Sequence, residues 1–157
     1  MHVRFKRWDI EIDTERTRDG YAVLADAQQD SCSCNTCRNF RALGSEAFPQ
    51  ELRQFAEGVG IDLRLPSEVY HNARLPSGLH SYGGWYHVVG TLQAGRSGWR
   101  ATSPTSAAAD FEPLGPHFRV GLSTKDDLVP APFRLESVVQ LDIDAELPWV
   151  LPEPEAG

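Results

Sequence analysis

The chain has 157 residues, a net charge of −7 at pH 7, 41% hydrophobic residues and 24% charged residues. This length is typical of one domain that buries its own core, and scattered basic residues argue against nucleic acid or an anionic membrane surface as a partner. The first residues lack the apolar run of a signal peptide, and no segment approaches the roughly 20 apolar residues of a membrane span. We therefore expect a soluble protein of the cytoplasm.

The first predicted unit is a β-hairpin. Residues 7–13 carry apolar side chains at every second position, which is typical of a half-buried strand. Residues 17–20, Thr-Arg-Asp-Gly, predict a turn, and residues 21–25 predict a strand that returns beside the first.

The three cysteines of the chain follow this hairpin, at Cys32, Cys34 and Cys37. Cys34 and Cys37 have the C-x-x-C spacing of structural zinc sites, and Cys32 lies two positions before Cys34, so that in an extended segment both side chains leave the same face. Thiolates are soft ligands that suit zinc, and clustered cysteines in a reducing cytoplasm more often bind metal or act in catalysis than form disulfides. The cluster predicts a metal knuckle that holds zinc.

Two other interpretations of the cysteines stay open. Cys34 and Cys37 can form a redox pair with Cys32 as a resolving or free thiol, although such a motif normally opens a helix in a βαβ setting that the sequence does not show. Alternatively, the thiols are small buried residues, but three within six positions among polar neighbours is unlike a core segment.

The main predicted helix covers residues 48–59. Pro49 lies near its start, Glu51 lies in its first turn, and apolar residues recur at the spacing of one helical face. Before it, residues 38–43 predict a short helical turn that ends at Gly44.

The second half of the chain predicts further strands, with the strongest at residues 85–92 because it is apolar on both faces. Residues 97–116, rich in Ser, Thr, Ala, Gly and Pro, predict a long mobile loop. In residues 139–147 the alternation predicts that Asp142, Asp144 and Glu146 point to water. Additional strands are predicted at residues 66–71 and 118–122.

This order of elements predicts an α+β domain, with a mostly antiparallel sheet or sandwich, one main helix and the metal knuckle. The domain is expected to cover residues 1–150, and residues 151–157 are expected to form a flexible Pro- and Glu-rich tail.

The fourth zinc ligand is not fixed by the sequence. Zinc in structural sites takes four ligands, so a histidine, a carboxylate, water or a group from a second chain must complete the site. His87 is the first choice because it lies on the strongest strand, and His80 and His71 are alternatives.

The sequence offers no phosphate-binding loop, nucleophile elbow or metalloprotease motif. A cysteine thiolate with His80 or His87 as its base is the best enzymatic alternative. The prediction is a non-enzymatic accessory protein whose metal knuckle lies beside an aromatic surface at Tyr82, Trp85 and Tyr86 and which binds a protein partner. The alternative is a thiol-active protein, for redox exchange or soft-metal sensing.

The run C-x-C-x-x-C-R-N-F, followed by Gly60-Ile61-Asp62, Pro66, Glu68, Tyr86 and Gly90, resembles an uncharacterised family of small bacterial proteins. The resemblance covers about residues 20–92 and implies no activity. It implies that the three cysteines belong to one site.

Overall fold

The computed structural model describes residues 1–27 and 32–155 and has an α+β fold with a mostly antiparallel sheet, as predicted. The described helices are α1 (Thr14–Asp26), α2 (Asn35–Leu43) and α3 (Gln50–Val59). The described strands are β1 (His2–Phe5), β2 (Trp8–Ile12), β3 (Glu68–Arg74), β4 (His80–Ala94), β5 (Trp99–Ser103), β6 (Ser106–Ala109), β7 (Glu112–Pro113), β8 (Phe118–Ser123) and β9 (Val138–Leu147).

Seven of these strands form one antiparallel sheet in the order β1-β2-β4-β9-β8-β7, and β3 also pairs with β4. One edge of the long strand β4 pairs with β3 at residues 80–85 and with β2 at residues 90–94, and its other edge pairs with β9. β5 and β6 form a separate hairpin.

The core lies on one face of this sheet, where alternate residues of the central strands point toward the helices. The predicted inward positions of β2 and β9 are confirmed, since these side chains are buried. The sheet's main contributors are Trp8, Ile10, Ile12, Tyr82, Tyr86, Val88, Val120, Leu122, Val139, Leu141, Ile143 and Leu147.

Helix α1 replaces the predicted turn and returning strand at residues 17–25, so that prediction is wrong. Asp13 caps the helix, since its side chain accepts a hydrogen bond from Arg16 N at 2.9 Å. The helix fills the gap between β2 and β3 along the edge of β4. Thr17 Oγ1 accepts a hydrogen bond from Val89 N at 3.0 Å, and the Tyr21 hydroxyl donates to His87 O at 2.7 Å.

Helix α3 confirms the predicted main helix, with its apolar stripe buried in the core. It starts two residues later than predicted and ends at Gly60, which adopts a left-handed conformation at φ 91°. Helix α2 is longer than the predicted turn, because it begins directly after Cys34 and reaches Leu43 before Gly44 ends it.

The predicted mobile loop at residues 97–116 is wrong in its central part, where β5 and β6 pair as a hairpin and β7 pairs with β8. The hairpin strands are short and mostly exposed, so their Ala and Ser residues give no apolar alternation. The hairpin covers the polar face of the sheet at Trp99, whose Nε1 donates to Asp142 Oδ2 at 3.0 Å.

The segment after β9 lies against α2 and β3. Val150 N donates to Asn39 Oδ1 at 2.7 Å, and Arg74 pairs with Glu155 at 3.1 Å. The predicted tail at residues 151–157 thus makes contacts as far as residue 155, and residues 156–157 lie outside the described residues. Within the described ranges, no helix is long and apolar enough to cross a membrane.

Candidate metal centre

The three cysteine sulfurs come together at the start of α2. Their Sγ atoms all lie within 4.8 Å of one another, and all three thiols are free. Cys32 Sγ donates to Cys34 Sγ at 3.1 Å. In a tetrahedral zinc site with Zn–S bonds of about 2.3 Å, neighbouring sulfurs are about 3.8 Å apart, so only small side-chain movements separate this arrangement from metal-binding geometry.

The electrostatics of the cluster differ between its exposed and its partly buried thiols. Hydrogen bonds from Thr36, from Cys32 and from the backbone and side chain of Cys37 lower the pKa of Cys34 to about 6. Burial first, and then hydrogen bonds to Cys32 and Cys34, raise the pKa of Cys37 to about 12. Cys34 is also the N-cap residue of α2, where the helix dipole favours a thiolate. The hydrogen bonds therefore favour the thiolate form of Cys34, and burial favours the thiol form of Cys37.

Helix α2 holds the cysteines in place through its buried polar side. The amide of Asn39 donates to Pro148 O at 3.1 Å and to the Tyr82 hydroxyl at 3.3 Å, and that hydroxyl donates to Thr36 O at 2.8 Å. Arg38 on the same helix forms an ion pair with Glu153. These contacts fix the helix between β4 and the segment after β9.

The structure does not bring His87, the first-choice fourth ligand, to the cysteines. Its Nδ1 lies 2.8 Å from Ser67 Oγ, and its Nε2 lies 3.1 Å from Gln140 Oε1. Among the residues that the structure describes, the potential metal group consists of the three cysteines alone.

The two alternative histidines contact each other. His71 Nε2 lies 2.9 Å from His80 Nδ1, and the buried His80 ring packs on Trp149 with ring centroids 5.1 Å apart. Neither histidine belongs to the cysteine group within the described part of the chain.

A pocket of about 590 Å³ adjoins the cluster, with Cys32 and Cys37 in its wall. The rest of its lining is mainly apolar, with three arginines and one glutamate. The lining includes Ser67, the apolar Val69, Leu128 and Val129, and the charged Arg41, Arg64, Arg134 and Glu68.

Two predictions about surfaces are wrong. Tyr82 and Tyr86 are buried, so they form no aromatic surface beside the cluster. Asp142 does not point to water, because the Trp99 indole and the Gln140 amide cover it and leave it 4% exposed. Burial raises the pKa of Asp142 to about 6, and the hydrogen bonds from Trp99 and Gln140 counteract part of that rise.

Sequence reasoning also missed Ser67 and Gln140, which hold the two nitrogens of His87. Gln140 and His87 are direct cross-strand partners on β9 and β4, and no spacing along the chain signals that register. No protein-family model, curated protein or solved structure matches this chain.

Proposed function

We propose that Cys32, Cys34 and Cys37 hold one zinc ion and that this site stabilises the start of α2 in an accessory protein that binds a protein partner. The observation that carries the proposal is the convergence of three sulfur atoms within 4.8 Å of one another. Three soft donors from one short segment favour zinc over the oxygen-loving cations.

Three protein ligands leave one position of a tetrahedral ion open. His87 is a poor candidate for it, because both of its ring nitrogens already have partners. We assign the fourth position to a water molecule in the isolated protein and to a side chain of the partner in the complex. This assignment links metal binding to the proposed accessory role.

The acid–base properties of the thiols predict how the metal binds. Cys34 is ready to bind at pH 7, whereas Cys37 must lose a proton to the solvent when the metal arrives. Calorimetric zinc titration in buffers of different ionisation enthalpy should therefore show proton release. Release that is unchanged in Cys37→Ser would contradict the assignment of Cys37 as a ligand.

The direct test is the metal content of protein purified without chelator. We expect about one zinc per chain, and loss of that zinc in Cys34→Ser and in Cys37→Ser. Ser33→Ala, in the same exposed loop, is the matched control and should keep its metal. Equal metal content in all four proteins would overturn the proposal.

The second candidate function is thiol exchange, and one specific observation favours it. An exposed thiolate at a helix start, three residues before a partly buried thiol of high pKa, is the arrangement of a reactive C-x-x-C pair. Metal-free protein in which Cys34 and Cys37 cycle readily through a disulfide would favour this function. Thiols that are shielded until a chelator is added would favour zinc.

A further inference from the structure

A continuous line of hydrogen bonds leads from the pocket to the polar face of the sheet. Ser67 Oγ lies 2.8 Å from His87 Nδ1, and His87 Nε2 lies 3.1 Å from Gln140 Oε1. Gln140 Nε2 in turn donates to the two carboxylate oxygens of Asp142 at 3.3 and 3.2 Å. Four side chains from three separate segments of the chain are thereby linked in a fixed order.

The donor and the acceptor of each hydrogen bond in this line can be assigned by starting from Asp142. The Asp142 carboxylate accepts, so the Gln140 amide must present its NH₂ group there and its oxygen to His87. The backbone N–H of Asp127 donates to the same Gln140 oxygen at 3.1 Å, which supports this orientation. His87 Nε2 therefore carries the hydrogen and donates to Gln140 Oε1. His87 Nδ1 keeps its lone pair and accepts the hydroxyl hydrogen of Ser67.

This is the arrangement that activates a serine: a hydroxyl bonded to a basic ring nitrogen, with the opposite nitrogen held by a third group. Burial lowers the pKa of His87 below its usual value, so the ring is neutral and able to accept a proton at pH 7. The neighbouring Asp126 and Asp127 favour the charged ring to a smaller extent.

The serine end of the line is the accessible end. Gln140 and His87 are fully buried, whereas Ser67 is half-buried and lines the pocket of about 590 Å³. A network that served packing alone would need no opening, but this one ends at a cavity of the size of small-molecule sites.

We propose that Ser67 is a nucleophile with His87 as its general base, and that the pocket hydrolyses small carboxylic esters. Ser67 Oγ attacks the ester carbonyl carbon while its proton passes to His87 Nδ1. The C–O bond to the alcohol breaks, and the alcohol leaves with that proton. Water then gives a proton to His87 Nδ1 and attacks the acyl-serine. The bond between the acyl carbon and Ser67 Oγ breaks, Oγ takes the proton back from His87, and the carboxylic acid is released.

The lining of the pocket defines the substrate class. Val69, Leu128 and Val129 give it an apolar wall that suits a short acyl chain. Of the three arginines in the lining, Arg64 is paired with Asp62 at 2.7 Å, and Arg41 and Arg134 remain beside the single Glu68. The small net charge that remains suits an uncharged ester. Gln140 and Asp142 do not reach the pocket, so they are positioning residues that orient the His87 ring.

The first test is covalent labelling with a fluorophosphonate probe, followed by mass spectrometry of the intact chain and its peptides. We expect one adduct, on Ser67, in the wild-type protein. Ser67→Ala removes only a hydroxyl and should not be labelled. Ser81→Ala changes another half-buried serine, on β4 and outside the pocket lining, and should be labelled at the wild-type rate. An unlabelled Ser67 in the wild-type protein would overturn the proposal.

The second test is hydrolysis of p-nitrophenyl acetate. Because the Cys34 thiolate can also be acylated by this ester, the comparison is made in a Cys34→Ser background. In that background Ser67→Ala should lower kcat/KM by about 100-fold or more, and Gln140→Leu should lower kcat with little change in KM. Equal rates with and without Ser67→Ala would refute the proposal. Hydrolysis that survives Cys34→Ser while zinc is lost separates this activity from the metal site.

Discussion

Asp142→Asn tests the buried carboxyl group that anchors the polar network. Burial raises the pKa of Asp142 from its ordinary value of 3.8 to about 6 in the folded protein. The folded state therefore holds this proton more tightly than the unfolded state. Its contribution to stability is complete below about pH 3.8 and is lost as the pH rises through about 6.

The size of the effect follows from the two pKa values. The interval between 3.8 and about 6 corresponds to about 3 kcal/mol, and most of it, about 2 kcal/mol, falls between pH 4 and pH 7. Asparagine has no such titration. The free energy of unfolding of Asp142→Asn, minus that of the wild-type protein, should therefore increase by about 2 kcal/mol between these pH values.

Urea denaturation at pH 4, 5, 6 and 7 measures this difference, because the effects of titrating groups that do not interact with Asp142 cancel between the two proteins. Asp19→Asn, which removes a carboxylate at an exposed position of α1, is the control. A pH-dependent difference for Asp142→Asn that is no larger than that of the control would refute the argument that burial controls this carboxyl group.

Two further substitutions test the packing of the helices. Gly20→Ala in α1 should destabilise the protein despite the higher helix propensity of alanine, because the added Cβ would overlap the Phe133 ring. In Gly58→Ala in α3 the added Cβ meets no atom within 4 Å, so this change should stabilise the protein by about 0.5–1 kcal/mol. Chemical denaturation shows whether the free energy of unfolding falls in the first variant and rises in the second. Asn39→Ala removes three hydrogen bonds of a fully buried side chain and should cost about 2–3 kcal/mol, and a loss below about 0.5 kcal/mol would show that α2 is held by other contacts.

The elements that the sequence predicts correctly are those whose buried positions are occupied by apolar residues at regular spacing. The stripe of α3 and the alternation in β2 and β9 follow the periods of helix and strand, and the structure confirms them. Helix α1 was missed because its buried side consists of Thr17, Gly20 and Tyr21, which read as turn and strand residues. Thr17 and Tyr21 are buried there because they satisfy the backbone of β4 between its two partner strands.

Part of the candidate site could likewise be predicted from the sequence and part of it could not. The convergence of the cysteines follows from spacing within one short segment, so the sequence predicts it. The partners of His87 cannot be predicted from spacing, because Ser67 and Gln140 are 20 and 53 positions away. They meet only through the antiparallel register of β4 and β9 and through the path of the chain into β3.

The stability that is lost by burying the Asp142 carboxylate also indicates whether the hydrogen-bond network has a functional role. At pH 7 an ionised carboxylate here lowers stability by about 3 kcal/mol relative to the protonated group, and packing alone would be better served by a neutral residue. A carboxylate at this position is explained if it orients the Gln140 amide and, through that amide, the His87 ring. Asp142→Asn should therefore raise stability at pH 7 relative to pH 4 while it slows fluorophosphonate labelling of Ser67, the exchange of activity for stability that is expected at a functional site. A gain in relative stability with unchanged labelling would show that Asp142 does not position the base.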